Sequence, residues 1–277
     1  MLKKIGRLDG ESIKELKTII DDIFKLFDEN KKGKAEKKLF ELSKTPNYFI
    51  REYVGKHLIK YKDQRKINPI AKRMLDHKIY GIRATAIFYF YSRYFDDVEK
   101  LYSVINKYFD KVPWEVESIM NDLWKNYPDF MKKKMPGWIV SKNGKKRALA
   151  FHGMENIAHG DPGFIMDSVS KAIDDDVLDV QKKLTHILTQ VARVNPILVF
   201  PYIREWLINA DEGRIKTIWI SMKKLANIVK QHNRRDNSEE FYMLTEQTIN
   251  DWKNDDNEKV SEMGDRLARI VRRRYSY

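Results

Sequence analysis

The chain has 277 residues, 42% of them hydrophobic and 34% charged, with 53 Lys and Arg against 40 Asp and Glu for a net charge of +13. That excess favours polyanionic partners, nucleic acid first among them, while the absence of cysteine excludes disulfides, thiolate zinc sites and thiol catalysis. Glycine (12) and proline (8) are too scarce for a loop-dominated or all-β chain. No apolar run reaches the length of a membrane span, and the first residues, MLKKIGRLDGESIKEL, lack the apolar core of a secretory signal. The expectation is a soluble, cytoplasmic protein, nucleoid-associated when bound to DNA.

Helical periodicity runs the length of the chain. In NYFIREYVGKHLIKY the apolar set Phe49, Tyr53, Val54, Leu58 and Tyr61 recurs at helical spacing. The segments YGIRATAIFYFYSRYF, KRALAFHGMENIA, VQKKLTHILTQVA and RIKTIWISMKKLANIV behave likewise. Breaks are expected at KTPN (44–47), YPD (127–129), MPG (135–137), HGDPG (159–163) and VNP (194–196). No Asn-Gly hairpin separates strand-like runs, so the predicted class is all-α.

The helices repeat. Steps of about 32 residues lead from Arg51 to Arg83, Glu115, Arg147 and Asp179, with Arg214 and Lys216 out of strict phase. A period between 30 and 40 indicates an α-solenoid of HEAT-like helix pairs, each pair burying its apolar face only against its neighbours. The expected architecture is one domain over 1–277, curved into a right-handed superhelix with a basic concave groove. Residues 1–78 would be divergent N-terminal helices, 79–232 regular repeats and 233–277 capping helices. The tail RLARIVRRRYSY, with arginines from Arg266 to Arg274, would cap the array or add phosphate contacts.

Equivalent positions of stacked repeats project from one face. Arg51, Arg83 and Arg147, with Lys182 and Lys216 as looser matches, would line the groove, since guanidinium suits bidentate phosphate contact. An arginine at a fixed repeat position can equally stack on the preceding turn and pair with an acid. Glu115 stands where the series calls for an arginine, between Trp114 and Glu117. A carboxylate among aromatics in a basic groove weakens phosphate binding locally, but it can stabilise a sugar oxocarbenium ion. The same residues would also serve as favourable acids in a first helical turn.

Other site chemistries find no pattern. The histidines at 57, 77, 152, 159, 186 and 232 form no HExxH motif, so no bound metal is expected. No Walker, dinucleotide or GxSxG pattern occurs, so no cofactor is expected.

From Tyr80 to about Gln231 the chain resembles the AlkD-type HEAT-like-repeat DNA glycosylases of DNA alkylation repair. The resemblance rests on WEVES at 114–118, WIVSKN at 138–143 leading to Arg147, and QKKLTH at 181–186 followed by Asn195-Pro196. It implies excision of cationic alkylated purines from double-stranded DNA by a monomer. Glu117, with Trp114 and Arg147, would be catalytic. Arg51, Arg83, Trp138, Lys146, Arg147, Lys182, His186 and Lys216 would bind DNA. The family's aspartate after valine corresponds to Glu117, or to Ser118 if the tryptophans are superposed. Its arginine falls on Arg147 or Ala148, and its third-segment tryptophan is His186 here. Two alternatives stand beside the glycosylase: a non-catalytic solenoid that binds damaged or branched DNA, and a protein-interaction scaffold.

Overall fold

The computed structural model describes residues 6–231 and 237–272. Among these it has fifteen α-helices, two short 3-10 turns and no strand. After α1 (Gly10–Asp28) come six pairs in chain order: α2 (Lys32–Ser43) and α3 (Tyr48–His57); α4 (Gln64–Leu75) and α5 (Tyr80–Arg93); α6 (Val98–Tyr108) and α7 (Pro113–Asn126); α8 (Pro128–Ile139) and α9 (Gly144–Phe151); α10 (Pro162–Ser170) and α11 (Leu178–Val194); α12 (Pro196–Ile208) and α13 (Glu212–Gln231). Two further helices, α14 (Glu239–Lys253) and α15 (Glu258–Arg272), follow. His232, Arg273 and Arg274 lie outside the described residues, as does the boundary expected at 232/233.

The second helix of each pair starts at 48, 80, 113, 144, 178 and 212. The steps between these starts are therefore 32, 33, 31, 34 and 34, and a fixed period of 32 slips by the last two repeats. The residue equivalent to Arg147 in the next repeat is consequently Gln181, 34 positions on, rather than Asp179.

Local chemistry explains the boundaries. α8, α10 and α12 open on Pro128, Pro162 and Pro196, where a missing N–H costs nothing. Asp161 and Asn195 cap α10 and α12 by accepting from the Phe164 and Leu198 N–H groups. The break expected at MPG does not occur, because Pro136 lies inside α8. Met135, Trp138 and Ile139 are buried there, and their packing keeps the last turn helical despite the lost hydrogen bond.

The chain divides into two compact units, Met1–Ile119 and Met120–Tyr277, with the division inside α7. In the first unit α3 and α4 both pack on α5, over a core that includes Phe88, Tyr89 and Phe90. In the second, α9 packs on α11, α11 on α13 and α13 on α15. Second helices thus stack on second helices within each unit, as a helical-repeat array requires.

The α3–α5 contact depends on Gly55. A Cβ there would stand 2.4 Å from the Thr85 carbonyl oxygen and 2.6 Å from the Phe88 Cβ. Backbone cannot yield as a flexible side chain can. Gly55→Ala is expected to cost about 1–3 kcal/mol, the usual penalty of overpacking, and to lower the urea midpoint; an unchanged midpoint would contradict this packing.

Candidate functional site

The recurrent arginine binds the chain's own backbone. Arg51, Arg83 and Arg147 are each the fourth residue of a second helix. Arg51 Nη1 donates to the Thr45 and Pro46 carbonyls at 3.3 and 2.6 Å. Arg83 Nη1 donates to those of His77 and Lys78 at 2.7 and 2.9 Å. Arg147 Nη1 reaches the Ser141 carbonyl at 2.8 Å, and Gln181 Nε2 the Asp175 carbonyl at 2.9 Å. Each donor reaches back five or six residues, to carbonyls in the turn that the preceding helix leaves unsatisfied.

The rest of each guanidinium reaches further. Arg83 Nη2 donates to the Lys111 carbonyl at 3.4 Å. Arg147 grips Asp175 in a bidentate pair at 2.5 and 3.0 Å. Arg214, third in α13, makes the same kind of pair with Asp174 at 2.7 and 2.5 Å and adds the Trp206 carbonyl at 3.3 Å. Hydrogen bonds from Arg214 hold the Asp174 carboxyl below the usual range, outweighing burial. The sequence expectation of an arginine stripe offered to phosphate is corrected here. Arg51 is almost wholly buried, and Arg83 and Arg147 already hold turn carbonyls, with Asp175 added for Arg147.

Glu115 is the counter-ion of Arg51. Its side chain is 0% exposed, that of Arg51 4%, and Arg51 Nη2 donates to Glu115 Oε1 at 2.7 Å. The other carboxylate oxygen accepts the Tyr80 hydroxyl at 2.5 Å. The Tyr80 ring lies 5.6 Å from the guanidinium carbon of Arg51 and 5.6 Å from that of Arg83. Burial, then the hydrogen bond to Glu115 and its charge, pushes the Tyr80 phenol up. Three consecutive second helices, α3, α5 and α7, meet in this network, all within the first unit. Glu115 therefore presents no carboxylate to a ligand.

Trp114 is what this network carries outward. Its side chain is 69% exposed, and it is the only strongly exposed aromatic side chain among the described residues. The ring meets that of Tyr80 edge-on at 6.2 Å. Glu117 lies half-buried three residues on, on the same face of α7.

The remaining expected residues fall in the second unit. Trp138 is buried at 3% exposure, with Lys146 Nζ 5.3 Å from its ring, so it serves the core and not a DNA surface. Lys182 is exposed and within 3.5 Å of Asp179, and Lys216 is exposed. His186, half exposed, lies 3.5 Å from Glu155. Arg147 and His186 thus face different partners, Asp175 and Glu155. Arg266 of the tail stacks on Trp219 at 4.0 Å, joining α15 to α13. Among the described residues no group of three or more His, Asp or Glu is placed to hold a metal ion, and no helix is long and apolar enough to cross a membrane. Sequence reasoning missed Tyr80, Asp175 and Glu155. Their signal is the period itself, since Asp175 and Glu155 each lie about one repeat from the residue they bind.

No protein-family model matches the chain, and no curated protein matches it. Among solved structures, one engineered protein from the Northeast Structural Genomics Consortium is similar over 91% of this chain and 68% of its own, at 13% identity and a TM-score of 0.37. A second engineered protein from the same consortium matches over 92% of this chain and 97% of its own, at 12% identity and a TM-score of 0.27.

Two outcomes follow from the ion pairs. Glu115→Gln leaves Arg51 buried without its counter-charge and is expected to cost about 3–5 kcal/mol in denaturant unfolding. Replacing the pair together, Arg51→Met with Glu115→Leu, should restore much of that loss. The Asp255 carboxyl is held down by hydrogen bonds, first from Arg204 and then from the Asn257 backbone, as Asp174 is by Arg214. A carboxyl depressed on folding stabilises above its unfolded value of 3.8 and loses that contribution as pH falls through the folded value. Stability measured from pH 5 down to pH 2 should fall, and Asp255→Asn should flatten that fall.

Proposed function

We propose that the chain is a DNA-binding helical-repeat protein that engages distorted duplex through Trp114. The observation that carries this reading is an indole 69% exposed on a buried ionic mount. A large apolar ring exposed to water above a buried ionic network is a contact residue in waiting. Unstacked bases in damaged or branched DNA offer a partner with a matching face. A net charge of +13 supplies the long-range attraction. With the repeat arginines bound internally, the phosphate contacts fall to lysines such as Lys182 and Lys216, both exposed. The resemblance to the alkylation-repair solenoids supports the same class of partner.

Excision of an alkylated purine is the second reading. Trp114 and Glu117, three residues apart on one helix face, favour it: the indole would hold the cationic nucleoside while the carboxylate stabilises the sugar cation and orients water. Arg147, bound to Asp175, has no part in this version.

Fluorescence anisotropy with intact duplex and duplex carrying an abasic site tests the first reading. Affinity should fall steeply between about 50 and 200 mM salt, as counterion release requires. Trp114→Ala should weaken binding to the abasic duplex by about 1–3 kcal/mol and change intact-duplex binding less. Weak, salt-insensitive binding by the unmutated protein would favour the scaffold instead. Release of methylated base from alkylated duplex, abolished in Glu117→Gln, would establish the second reading; binding without release would leave the non-catalytic one.

A further inference from the structure

A polar cleft lies in the first unit, between the first turns of α4 and the last residue of α5, and shares no residue with the Trp114 network. Lys62, Asp63, Gln64, Arg65, Asn68 and Arg93 border it, around a volume of about 550 Å³. Gln64 holds its walls in place. Gln64 Nε2 donates to the Leu58, Ile59 and Tyr61 carbonyls at 3.1, 3.1 and 2.6 Å. Its Oε1 accepts the Tyr89 hydroxyl at 2.9 Å and Arg93 Nη1 at 3.3 Å. The chain entering α4 and the end of α5 are thereby fixed against one side chain, which preorganises whatever borders the space between them.

The border carries three cations and a single carboxylate, Asp63. That carboxylate is already engaged: Asp63 Oδ1 caps α4 by accepting the Arg65 N–H at 3.2 Å and takes Arg65 Nε at 3.0 Å. Arg65 Nη1 and Nη2 meet no acceptor among the described residues, and the side chain is 93% exposed. Lys62 Nζ lies 3.1 Å from Asp28 Oδ1 and keeps its other N–H groups. Arg93 gives Gln64 one N–H of its guanidinium. Asn68 Oδ1 is buried without a partner, which leaves Nδ2 as the polar atom this amide offers the cleft. An exposed pair such as Lys62–Asp28 contributes little and does not account for three cations around one space. Like charges gathered in this way repel one another until an anion joins them. A phosphate group answers the whole set, since it accepts from several charged donors at once and matches the planar fork of arginine.

We propose that this cleft is a phosphate site, in which the Arg65 fork takes two oxygens of the phosphate while Arg93 and Lys62 neutralise its charge. The volume also accommodates the group that carries the phosphate, so a free nucleotide and a phosphate of a nucleic-acid strand share the required chemistry. The site does not rest on the DNA-binding reading.

Calorimetric titration of the full chain with pyrophosphate should show saturable binding. Arg65→Gln and Arg93→Gln should each weaken it about tenfold, as loss of a hydrogen bond to a charged group implies. Arg65 is too exposed for its replacement to disturb the fold, which guards against a folding defect. Lys37→Gln, the same change of charge at an exposed lysine of α2, should leave the affinity unaltered. Absence of saturable binding, or an equal loss in Lys37→Gln, would overturn the site. Two further titrations identify the source of the phosphate. With duplex DNA, a slope of log affinity against log salt lowered by about one unit in Arg65→Gln assigns the site to a bound strand. An unchanged slope, with AMP binding weakened by the same substitution, assigns it to a free nucleotide. Pyrophosphate binding by a protein that fails to bind DNA would remove the DNA reading and keep the site.

Discussion

Burying one carboxylate beside one guanidinium fixes most of what surrounds Trp114. Glu115 and Arg51 lie in a medium where an unpaired charge costs several kcal/mol, so each tolerates its position only because the other is there. Coulomb attraction alone rarely repays the removal of both ions from water. The Tyr80 hydroxyl and the turn carbonyls of Thr45 and Pro46 add further hydrogen bonds, while Arg51 Nε stays buried without a partner. Tyr80 connects this interior to the surface: its hydroxyl binds the buried acid, and its ring meets the exposed indole edge-on. Rigid presentation of an aromatic on buried polar support is the arrangement that keeps a contact residue preorganised.

The clamp at the fourth position of the second helices explains why arginine recurs. What the position requires is an N–H donor long enough to reach six residues back, and Gln181 meets that need without any charge. A phosphate-binding stripe would not accept glutamine so readily. Where arginine is used, its second edge does something more, seizing Asp175 from Arg147 or a backbone carbonyl from Arg83. The repeat conserves a geometry, and side chains of different charge fulfil it.

Much of this was legible in the sequence. Apolar spacing gave the helices, proline with Asn or Asp marked their starts, and the arginine series gave the period. Pro136 misled because a proline near a helix end looks like a terminator, whereas the burial of Trp138 and Ile139 overrides it. Asp179 misled because the later repeats are 34 residues long. The arginines were harder to read, since a guanidinium turned toward a turn and one turned toward solvent leave the same letter at the same spacing. The clue was Glu115, an acid in the basic series two repeats from its partner. The sequence marked it as the anomaly; its burial could come only from packing.

That partnership reaches across 64 residues of chain, passing over the α4–α5 pair. Arrays of stacked helices ordinarily grow and shrink by duplicating or losing a unit, because each unit touches only its neighbours. Here the excision of α4 and α5, or the insertion of an extra pair between α3 and α7, would strand an ion in the interior. The first part of the array is thereby locked to a fixed number of units.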